Sequence, residues 1–399
     1  MDLRFSEEDE AFRKEVREFL SAELPPDWED TGDTESSEAK AFRDQFVKKL
    51  VAKGWRTGAW PKEYGGQGWS FTKQLVFNEE MAARKAPKGD FLGPHVAAPP
   101  IMVHGTEEQK KMHLPPIAKA EAIWCEGFSE PNAGSDLASL QTRAVEEGDY
   151  FILNGQKTWT THAHYADWGI FLARTDPTAP KHKGISCFLI DMKTPGVTVV
   201  PIVDASGFHS LNEVYLDNAK IPRSGLLGEK NKAWSQTIRT TLDFERSGAA
   251  TVTALGIFLE RLIKYTKGTK RNGAPLANDP IIRQKLANMV VEVAVARVLA
   301  YRIAWMQNED LPITGEASQT KLFSSELQQR LANVGMQILK MPGLIKEGSR
   351  WAPQGGAFEK FYVTSIPITF GAGTSEVQRQ VVALSGLGLP REPRPAKGS

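Results

Sequence analysis

Residues 233–266 read AWSQTIRTTLDFERSGAATVTALGIFLERLIKYT, and the pattern in this stretch indicates which kind of fold the chain adopts. Apolar and small residues recur in it at steps of three and four, which predicts one face of a long helix: Ile238, Leu242, Ala249, Val252, Gly256, Leu259 and Ile263. Glu245 occupies the position on that face between Leu242 and Ala249. A carboxylate in an apolar stripe loses hydration, so it needs a partner or a chemical task. Periodicity leaves two interpretations open: an ion pair, with Arg246 or another helix, or a catalytic base.

The chain has 399 residues, which is more than one ordinary hydrophobic core accommodates. The residue pattern changes twice along it. Residues 122–223 contain short β-branched and aromatic runs broken by turns, which is typical of a small barrel or sandwich. The sequence on either side has helical periodicity. We therefore predict an α+β fold with an N-terminal helical domain, a central β-domain and a C-terminal helical bundle, which span residues 1–120, 121–229 and 230–399.

Two short patterns mark places where helices begin. Ser6 is followed by Asp9, and Thr106 is followed by Gln109, which are the spacings of a helix start and a capping box. Together with apolar periodicity, they predict helices over residues 5–21, 39–53, 107–112, 232–267, 279–308, 317–340 and 374–385.

Composition limits the classes of function. Forty-nine basic and 48 acidic residues leave a formal charge of +1, and no basic block favours nucleic-acid binding. No apolar run approaches the roughly 20 residues that cross a bilayer, so we expect no membrane insertion. The acidic N-terminus resembles neither a signal peptide nor a transit segment, and two cysteines cannot build a disulfide framework. These features predict a cytoplasmic protein.

Six segments, taken in order, resemble signatures of the acyl-CoA dehydrogenase family. Several are similar to its PEEYGG, TEPxAGSD, INGxKxWITN and GTSEIQR elements. The segments are WPKEYGGQG (60–68), GTEEQKKMHLPPI (105–117), CEGFSEPNAGSDLASLQTRA (125–144), FILNGQKTWTTHAHYADWGIFLART (151–175), NEVYLDNAKIPRSGLLGEKNKAW (212–234) and GTSEVQRQVVA (373–383). Because the resemblance covers nearly the whole chain, we identify the chain as a member of this family.

The resemblance implies FAD-dependent dehydrogenation of an acyl-CoA thioester to the trans-2-enoyl-CoA. In this chemistry a base takes the α-proton, and the β-hydrogen leaves as hydride to flavin N5. An electron-transfer flavoprotein then accepts the electrons. Such a site needs a base near Cα, polarisation of the thioester carbonyl and a flavin beside the Cα–Cβ bond.

The resemblance also implies which residues contact the cofactor. Ser129 corresponds to the residue that bonds the flavin pyrimidine ring, Trp159 to the aromatic residue that covers the isoalloxazine, and Thr161 to the hydroxyl that bonds N5. Taken singly, each would be an ordinary turn, core or strand residue. The remaining cofactor candidates are Phe128, Ser135, Thr374 and Glu376, and the substrate candidates are Ser135, Phe244 and Gly373.

The position of the base departs from the usual family pattern. Many members carry a Glu directly before the Gly-Thr of the C-terminal signature, but this chain has Ala372 there, and Glu376 lies too far on to replace it. A minority of members carry the base in a motif that resembles LDLER on the long helix, and this chain reads LDFER at 242–246. Glu245 is therefore the predicted base, with Arg246 as its supporting partner. The backbone N–H of Ala372 is predicted to polarise the thioester carbonyl.

Two elements for the far end of FAD also depart from the family. Thr269 stands where the Arg of RxxFG is expected, and the neighbouring Lys270 and Arg271 point elsewhere if this stretch is helical. Lys340 and Met341 replace the paired glycines of QIFGGxGF. These departures leave two interpretations open. In the first, the chain is a divergent homo-oligomer. In the second, which we favour, it is the catalytic subunit of an α2β2 assembly in which a paralogous subunit completes the FAD site; subunits of this type act on bulky or cyclic acyl-CoAs such as steroid side-chain intermediates.

Two other classes of function stay open at this stage. The chain could be a non-catalytic subunit that stabilises a paralogue, or a related flavin oxidase or monooxygenase. A metal site is not predicted, because His162 and His164 on one strand have no carboxylate or cysteine nearby in sequence.

Overall fold

A computed structural model describes residues 3–26, 28, 37–238, 240 and 249–391. In these ranges the α-helices are, in chain order, α1 (Glu7–Glu23), α2 (Ser37–Ala52), α3 (Phe71–Ala83), α4 (Ala98–His104), α5 (Glu107–Ala118), α6 (Ala249–Gly268), α7 (Pro280–Asn308), α8 (Thr314–Leu339), α9 (Ala357–Ser365) and α10 (Ser375–Val381). The strands are β1 (Trp124–Gly127), β2 (Arg143–Glu147), β3 (Tyr150–Lys157), β4 (Trp168–Arg174), β5 (Ile185–Asp191), β6 (Val197–Ile202), β7 (Leu211–Pro222), β8 (Leu226–Leu227), β9 (Lys270–Arg271) and β10 (Ala274–Pro275).

Contacts divide the chain into two units, one of which contains the sheet. This β-unit is formed by the described parts of Asp27–Trp69 and Ala86–Glu245, and the helical unit by those of Met1–Pro26, Ser70–Lys85 and Arg246–Ser399. The main sheet has the strand order β6-β7-β3-β2-β4-β5-β8, and β1 adds to β4 in parallel. Its interior is aromatic and aliphatic because alternate residues of each strand point inward, with Phe151, Phe171 and Phe188 each no more than 1% exposed.

A β-bulge lies in the middle of β3, the strand that precedes the segment with Trp159. The register between β3 and β7 shifts between Leu153 and Gly155. A Cβ on Gly155 would lie 2.5 Å from the Thr142 hydroxyl, so only glycine fits. Bulges bend a strand and redirect the residues that follow. Here pairing with β7 resumes after the bulge and continues from Gly155 to Lys157.

The helices α4 and α5 of the β-unit pack against the same sheet. Thr106 and Gln109 form the predicted capping box at the start of α5. The amide of Gln109 also donates to the carbonyl oxygens of Ser224 at 2.7 Å and Leu226 at 2.9 Å. One residue therefore both caps the helix and joins it to the strand β8.

The helical unit is built around α6, α7 and α8. Their buried faces share one apolar cluster, in which Leu262 and Leu327 are fully enclosed. The predicted apolar stripe is present in the described part of α6, where Val252 and Leu259 are each 4% exposed. A buried ion network joins α1 to α3, with Arg13 3.0 Å from Glu79 and 2.9 Å from Glu80. Glu79 also accepts from the hydroxyl of Tyr301 on α7 at 2.6 Å. Within the described ranges, no helix has both the length and the apolar character to span a membrane.

The predicted fold class is confirmed, with helices, then strands, then helices. The boundaries at residues 120 and 229 stay predictions. Two local expectations were wrong. Lys270 and Arg271 form a strand paired with Ala274–Pro275, because α6 ends at Gly268. His162 and His164 lie in a turn, because the ladder of β3 stops at Lys157.

Candidate active site

Two predicted cofactor segments meet at the end of β3. The N–H of Thr158 donates to the carbonyl oxygen of Ser129 at 3.0 Å. Ser129 is half-buried, and Phe128 before it is 8% exposed. The residue after Thr158 is Trp159. The structure therefore brings Phe128 and Ser129 of the first signature next to Trp159 of the second.

A buried ion pair also joins these two segments. Nζ of Lys157 lies 2.8 Å from Oε1 of Glu130 and donates to the carbonyl oxygen of Phe128 at 3.2 Å. The Glu130 carboxylate also accepts the N–H groups of Gln141 at 2.6 Å and Thr142 at 2.9 Å. Three charge-assisted hydrogen bonds thus occupy the carboxylate, which is the condition under which a buried charge is tolerated.

The pKa values of Glu130 and Lys157 both differ from the ordinary values of these groups. Burial favours the neutral form of Glu130, but the Lys157 ammonium and the bonds from Thr142 and Gln141 outweigh it and lower the Glu130 pKa. Burial lowers the pKa of Lys157 to about 8, although the Glu130 charge acts in the opposite direction. The carboxylate is therefore held in its ionised form near neutral pH.

The turn after β3 presents an open aromatic face. Trp159 is 60% exposed, which is unusual for so large an apolar side chain. Its φ is +60°, a left-handed conformation that is uncommon for residues other than glycine. Thr161, half-buried, lies two residues further on. An exposed indole beside a hydroxyl, on a backbone held in a strained conformation, fits the requirements for binding a flat heteroaromatic ring.

Ser135 is exposed in the turn that follows Glu130. Three residues further along the chain, Ala138 is the first of the residues that line a basic groove of about 540 Å³. The groove is lined by Arg143, Arg174 and Lys181, among other residues. The guanidinium of Arg174 builds its wall, donating to the carbonyl oxygens of Ala138 at 2.7 Å and Leu140 at 3.1 Å. Sequence reasoning missed this groove because its basic residues come from three separate segments.

The C-terminal signature forms a tight turn in the helical unit. Ala372 and Gly373 both have left-handed φ angles, of +50° and +88°. The hydroxyl of Thr374 caps α10 by accepting the N–H of Val377 at 3.2 Å. Within the described ranges, the N–H of Ala372 donates to no protein acceptor. Ala372 therefore offers a backbone donor and no side-chain base.

Carbonyl groups on the other side of this turn are held in place. Lys321 donates to the oxygen of Gly373 at 2.6 Å, and Gln378 donates to it at 3.3 Å. Gln378 also donates to the oxygen of Ala372 at 3.2 Å. Glu376 is exposed, and bonds from its own backbone N–H and from Thr374 lower its pKa. The bonds from Lys321 and Gln378 thus hold the turn in place through the carbonyl groups of Ala372 and Gly373.

The two altered FAD elements contact each other in the helical unit. Arg271 donates to the carbonyl oxygen of Ile338 at 2.8 Å. Thr269, half-buried, precedes β9. Lys340 has a φ of +60° and a ψ of −142°, a region that favours glycine, and Met341 is 74% exposed. Lys340 therefore occupies a backbone conformation suited to glycine, at a position where the family signature has glycine.

The predicted site residues lie in two different units of the structure. Ser129 and Trp159 belong to the β-unit, and Ala372 and Thr374 to the helical unit. Phe244, Glu245 and Arg246 lie outside the described residues. In the described part of the chain, no group of three or more His, Cys, Asp or Glu side chains is arranged to hold a metal ion. The absence of a metal site therefore stays a prediction for the chain as a whole.

Models of the acyl-CoA dehydrogenase N-terminal, middle and C-terminal domains match residues 6–121, 125–219 and 234–387. Acyl-CoA dehydrogenase IpdE1 of Mycobacterium tuberculosis is 32% identical over 394 residues, covering 98% of this chain and 99% of that protein. A solved structure named "Tcur3481-Tcur3483 steroid ACAD" has 33% identity and a TM-score of 0.86, covering 98% of this chain and 100% of that one. The ChsE4-ChsE5 complex from Mycobacterium tuberculosis has 31% identity and a TM-score of 0.87, with the same two coverages.

These matches agree with the order of the helical and β regions and with the six signature segments. The chain therefore belongs to the acyl-CoA dehydrogenase family, and it is an oxidoreductase that dehydrogenates acyl-CoA with FAD as its cofactor.

Proposed function

We propose that this chain converts an acyl-CoA to its trans-2-enoyl-CoA and passes the electrons to an electron-transfer flavoprotein. The observation that carries the proposal is the hydrogen bond from Thr158 N–H to the oxygen of Ser129, at 3.0 Å. It joins two segments that are distant in sequence and that both match cofactor signatures. A site for one rigid ring system requires such a junction, because its contacts come from both segments.

Four residues of the β-unit would hold the flavin ring. Ser129 and Thr161 supply polar contacts, Phe128 supplies the apolar floor, and Trp159 supplies an exposed aromatic face. FAD, when bound, supplies the acceptor for the hydride that leaves the β-carbon. The protein's part is to hold these side chains rigidly, which the ion pair of Lys157 and Glu130 supports.

Glu245 is the proposed base that takes the α-proton, with Arg246 orienting its carboxylate and Phe244 beside the substrate. The support is the LDFER motif together with Ala372, which leaves the usual base position without a carboxylate. The N–H of Ala372, which has no acceptor among the residues that the structure describes, would donate to the thioester oxygen and stabilise the negative charge that develops there. Gly373 would line the substrate, and Thr374 and Glu376 would contact the cofactor.

The basic groove beside Ser135 is the proposed site for the phosphates of the CoA moiety. Arg143 is exposed there, and Lys181 forms an ion pair with Asp136 while 47% of its side chain stays exposed. Guanidinium and ammonium groups on an open surface bind phosphates through charge-assisted hydrogen bonds. Arg174 is committed to backbone carbonyls and would keep the shape of the groove.

We further propose an α2β2 assembly in which a paralogous subunit completes the FAD site. Thr269, Lys340 and Met341 at the altered FAD elements support this arrangement. The structures named Tcur3481-Tcur3483 and ChsE4-ChsE5 each pair two different proteins. An exposed apolar stripe on α7, in which Val291 is 63% exposed and Val298 is 50% exposed, is also expected at a subunit interface. A homo-oligomer is the alternative.

The proposed substrates are bulky or cyclic acyl-CoAs, including steroid side-chain intermediates. The support is the similarity to a structure named as a steroid ACAD. We propose a cytoplasmic location, which fits Cys125 and Cys187 because both are buried and free.

The decisive experiment is anaerobic reduction of the bound flavin. The tagged chain is purified with any subunit that copurifies, and its flavin absorbance is followed as straight-chain, branched, cyclic and steroid acyl-CoAs are added. We expect bleaching with at least one bulky acyl-CoA, and reoxidation by an electron-transfer flavoprotein faster than by oxygen. Absence of flavin, or no bleaching across the panel, contradicts the proposal. Turnover that consumes oxygen instead identifies an oxidase or monooxygenase.

A non-catalytic role is favoured by one observation only, the side chains of Lys340 and Met341 at the usual glycine positions. If a partner subunit copurifies, this role is tested by mixing the chain with a partner whose own base has been removed. Surviving activity places the chemistry on this chain, and lost activity places it on the partner.

A further inference from the structure

Asn212, at the start of β7, holds the middle of the turn that contains Trp159 and Thr161. It is fully buried. The N–H of Thr160 donates to the carbonyl oxygen of Asn212 at 2.9 Å, and Nδ2 of Asn212 donates to the carbonyl oxygen of Thr160 at 3.0 Å. Both backbone groups of Thr160 are therefore bonded to one residue. Because Trp159 and Thr161 flank Thr160 directly, the directions of both side chains depend on Asn212.

Hydrogen-bonding rules determine how the Asn212 amide is oriented. The oxygen of Thr160 can only accept, so Nδ2 must face it and Oδ1 must face away. Oδ1 lies 2.8 Å from Nε2 of His209, so that nitrogen carries a proton. Nδ2 lies 3.1 Å from Nδ1 of His164, so that nitrogen must be an acceptor. We call these four residues, Thr160, His164, His209 and Asn212, the Asn212 clamp.

His164 is enclosed mainly by other aromatic and titratable rings. Its ring stacks on His209 with centroids 4.0 Å apart, and Tyr165 of the same turn lies 3.9 Å from it. His162 is the third histidine near it. Nε2 of His164 is buried and has no hydrogen-bond partner among the residues that the structure describes. A proton added at Nδ1 would face the amide N–H of Asn212 and break the bond between them.

We propose that Asn212, oriented by His164 and His209, is a positioning residue for the flavin-contacting turn, and that the Asn212 clamp requires the neutral form of His164. This inference rests on the proposed function, since it assigns Trp159 and Thr161 to the flavin. From the sequence alone, His162 and His164 suggested no role other than that of weak metal ligands. In the folded turn, the tautomer of His164 instead orients the side-chain amide of Asn212.

The surroundings of His164 favour its neutral form. Burial, followed by the charges of His209 and His162, lowers the pKa of His164 below its ordinary 6.5. The pKa of His162 is also lowered by burial, although Asp90 acts in the opposite direction. A histidine whose pKa is lowered by folding stabilises the folded arrangement above about pH 6.5, and this contribution is lost progressively as the pH falls. We therefore expect FAD affinity to fall when the pH drops below the lowered pKa of His164 in the folded protein.

The first test compares Asn212→Ala with Tyr215→Phe, both on β7. Tyr215 also bonds a β3 residue, accepting from Gln156 at 3.1 Å, but it lies on the exposed face. We expect Asn212→Ala to raise the dissociation constant for FAD at pH 7.5 by about tenfold or more, because the side-chain bonds of Asn212 to the Thr160 oxygen, His164 and His209 are lost. The backbone bond from the Thr160 N–H remains in this variant. Tyr215→Phe should leave the dissociation constant within about twofold. The melting temperature of each apoprotein is measured in parallel.

The second test uses His164→Asn, which keeps an acceptor near the position of Nδ1 but cannot be protonated. We expect near-normal FAD affinity at pH 7.5 and a weaker loss of affinity between pH 7.5 and 5.5 than in the unmodified protein. His182→Asn, at an exposed histidine, should keep the original pH profile. In the apoprotein, nitrogen NMR should find the His164 proton on Nε2.

Three results would overturn the inference. The first is unchanged FAD affinity in Asn212→Ala, which assigns Asn212 a purely structural role if the melting temperature falls. The second is an unchanged pH profile in His164→Asn, and the third is a His164 proton on Nδ1. These outcomes are distinct from failure of the proposed function, which is recognised when the unmodified protein itself binds no flavin.

Discussion

Nζ of Lys157 lies 2.8 Å from Oε1 of Glu130, with the Lys157 side chain completely buried and that of Glu130 only 8% exposed. Each residue adjoins a predicted flavin contact, since Glu130 follows Ser129 and Lys157 lies two residues before Trp159. The ion pair therefore ties together two segments that meet only in the folded protein. Its energetic and functional effects can be measured separately.

Lys157→Met should destabilise the β-unit strongly. Methionine keeps most of the side-chain volume but leaves Glu130 as a buried charge without its cation, which typically costs about 3–5 kcal/mol of unfolding free energy. Urea unfolding at pH 7 measures the change. Lys14→Met is the control, because Lys14 is exposed and lies 3.8 Å from an equally exposed Glu18, so its loss should cost no more than about 1 kcal/mol. If both variants lost the same amount of unfolding free energy, burial of the Lys157–Glu130 pair would not explain the loss.

The pair also predicts an acid dependence of stability. Lys157 and the N–H groups of Gln141 and Thr142 hold the pKa of Glu130 below its ordinary 4.5, despite burial. The unfolded chain then binds more protons than the folded one below about pH 4.5, so stability is lost as the pH falls. Glu130→Gln should lower stability at pH 7 and flatten its decline between pH 5 and 3.5. A variant that keeps the original slope would show that other carboxylates dominate.

Gly373→Ala tests the turn of the C-terminal signature. A Cβ on Gly373 would lie 2.6 Å from Nε2 of Gln378, and its φ is +88°, so alanine should cost about 1–2 kcal/mol and displace the Ala372 N–H. We expect the rate of flavin reduction to fall by at least about tenfold. Gly371→Ala is the matched control, since its Cβ would only come within 3.4 Å of the Pro367 oxygen. Similar rates in both variants would argue against the proposed donor role of Ala372.

Glu245→Gln should keep its FAD and lose nearly all flavin reduction. Loss of a general base typically costs about 10²–10⁴ in rate. Glu260→Gln is the control, because Glu260 is an exposed carboxylate on α6 with no proposed role in the site. Stopped-flow reduction under anaerobic conditions compares the two variants. Normal reduction in Glu245→Gln, or an equal loss in Glu260→Gln, would contradict the assignment of Glu245 as the base.

Arg143→Gln should weaken binding of CoA without changing flavin content. Loss of one guanidinium–phosphate contact is expected to raise the dissociation constant of free CoA by about tenfold at low salt. Lys220→Gln removes an exposed positive charge from β7, outside the groove, and should have little effect. Calorimetric titration at two salt concentrations measures both. An unchanged affinity would exclude Arg143 from the CoA site.

The sequence by itself predicted the fold class and the course of most helices and strands. Period-2 and period-3.6 patterns arise from the local geometry of strands and helices, and capping boxes such as that of Thr106 and Gln109 involve residues three apart. Glu245 was likewise a sequence inference, from an apolar stripe and a motif. It lies outside the described residues and remains a prediction.

Only the tertiary structure decided which residues support the turn that carries Trp159. Asn212 is 52 residues from Thr160 in sequence, and Glu130 is 27 residues from Lys157. Their bonds depend on the register of the sheet, and no periodicity encodes which strands become neighbours. The same limit explains why Lys270 and Arg271 were expected on a helix, whereas the chain turns into a short hairpin. Sequence periodicity reports the face a residue occupies, whereas partners across the sheet follow from the packing of the whole chain.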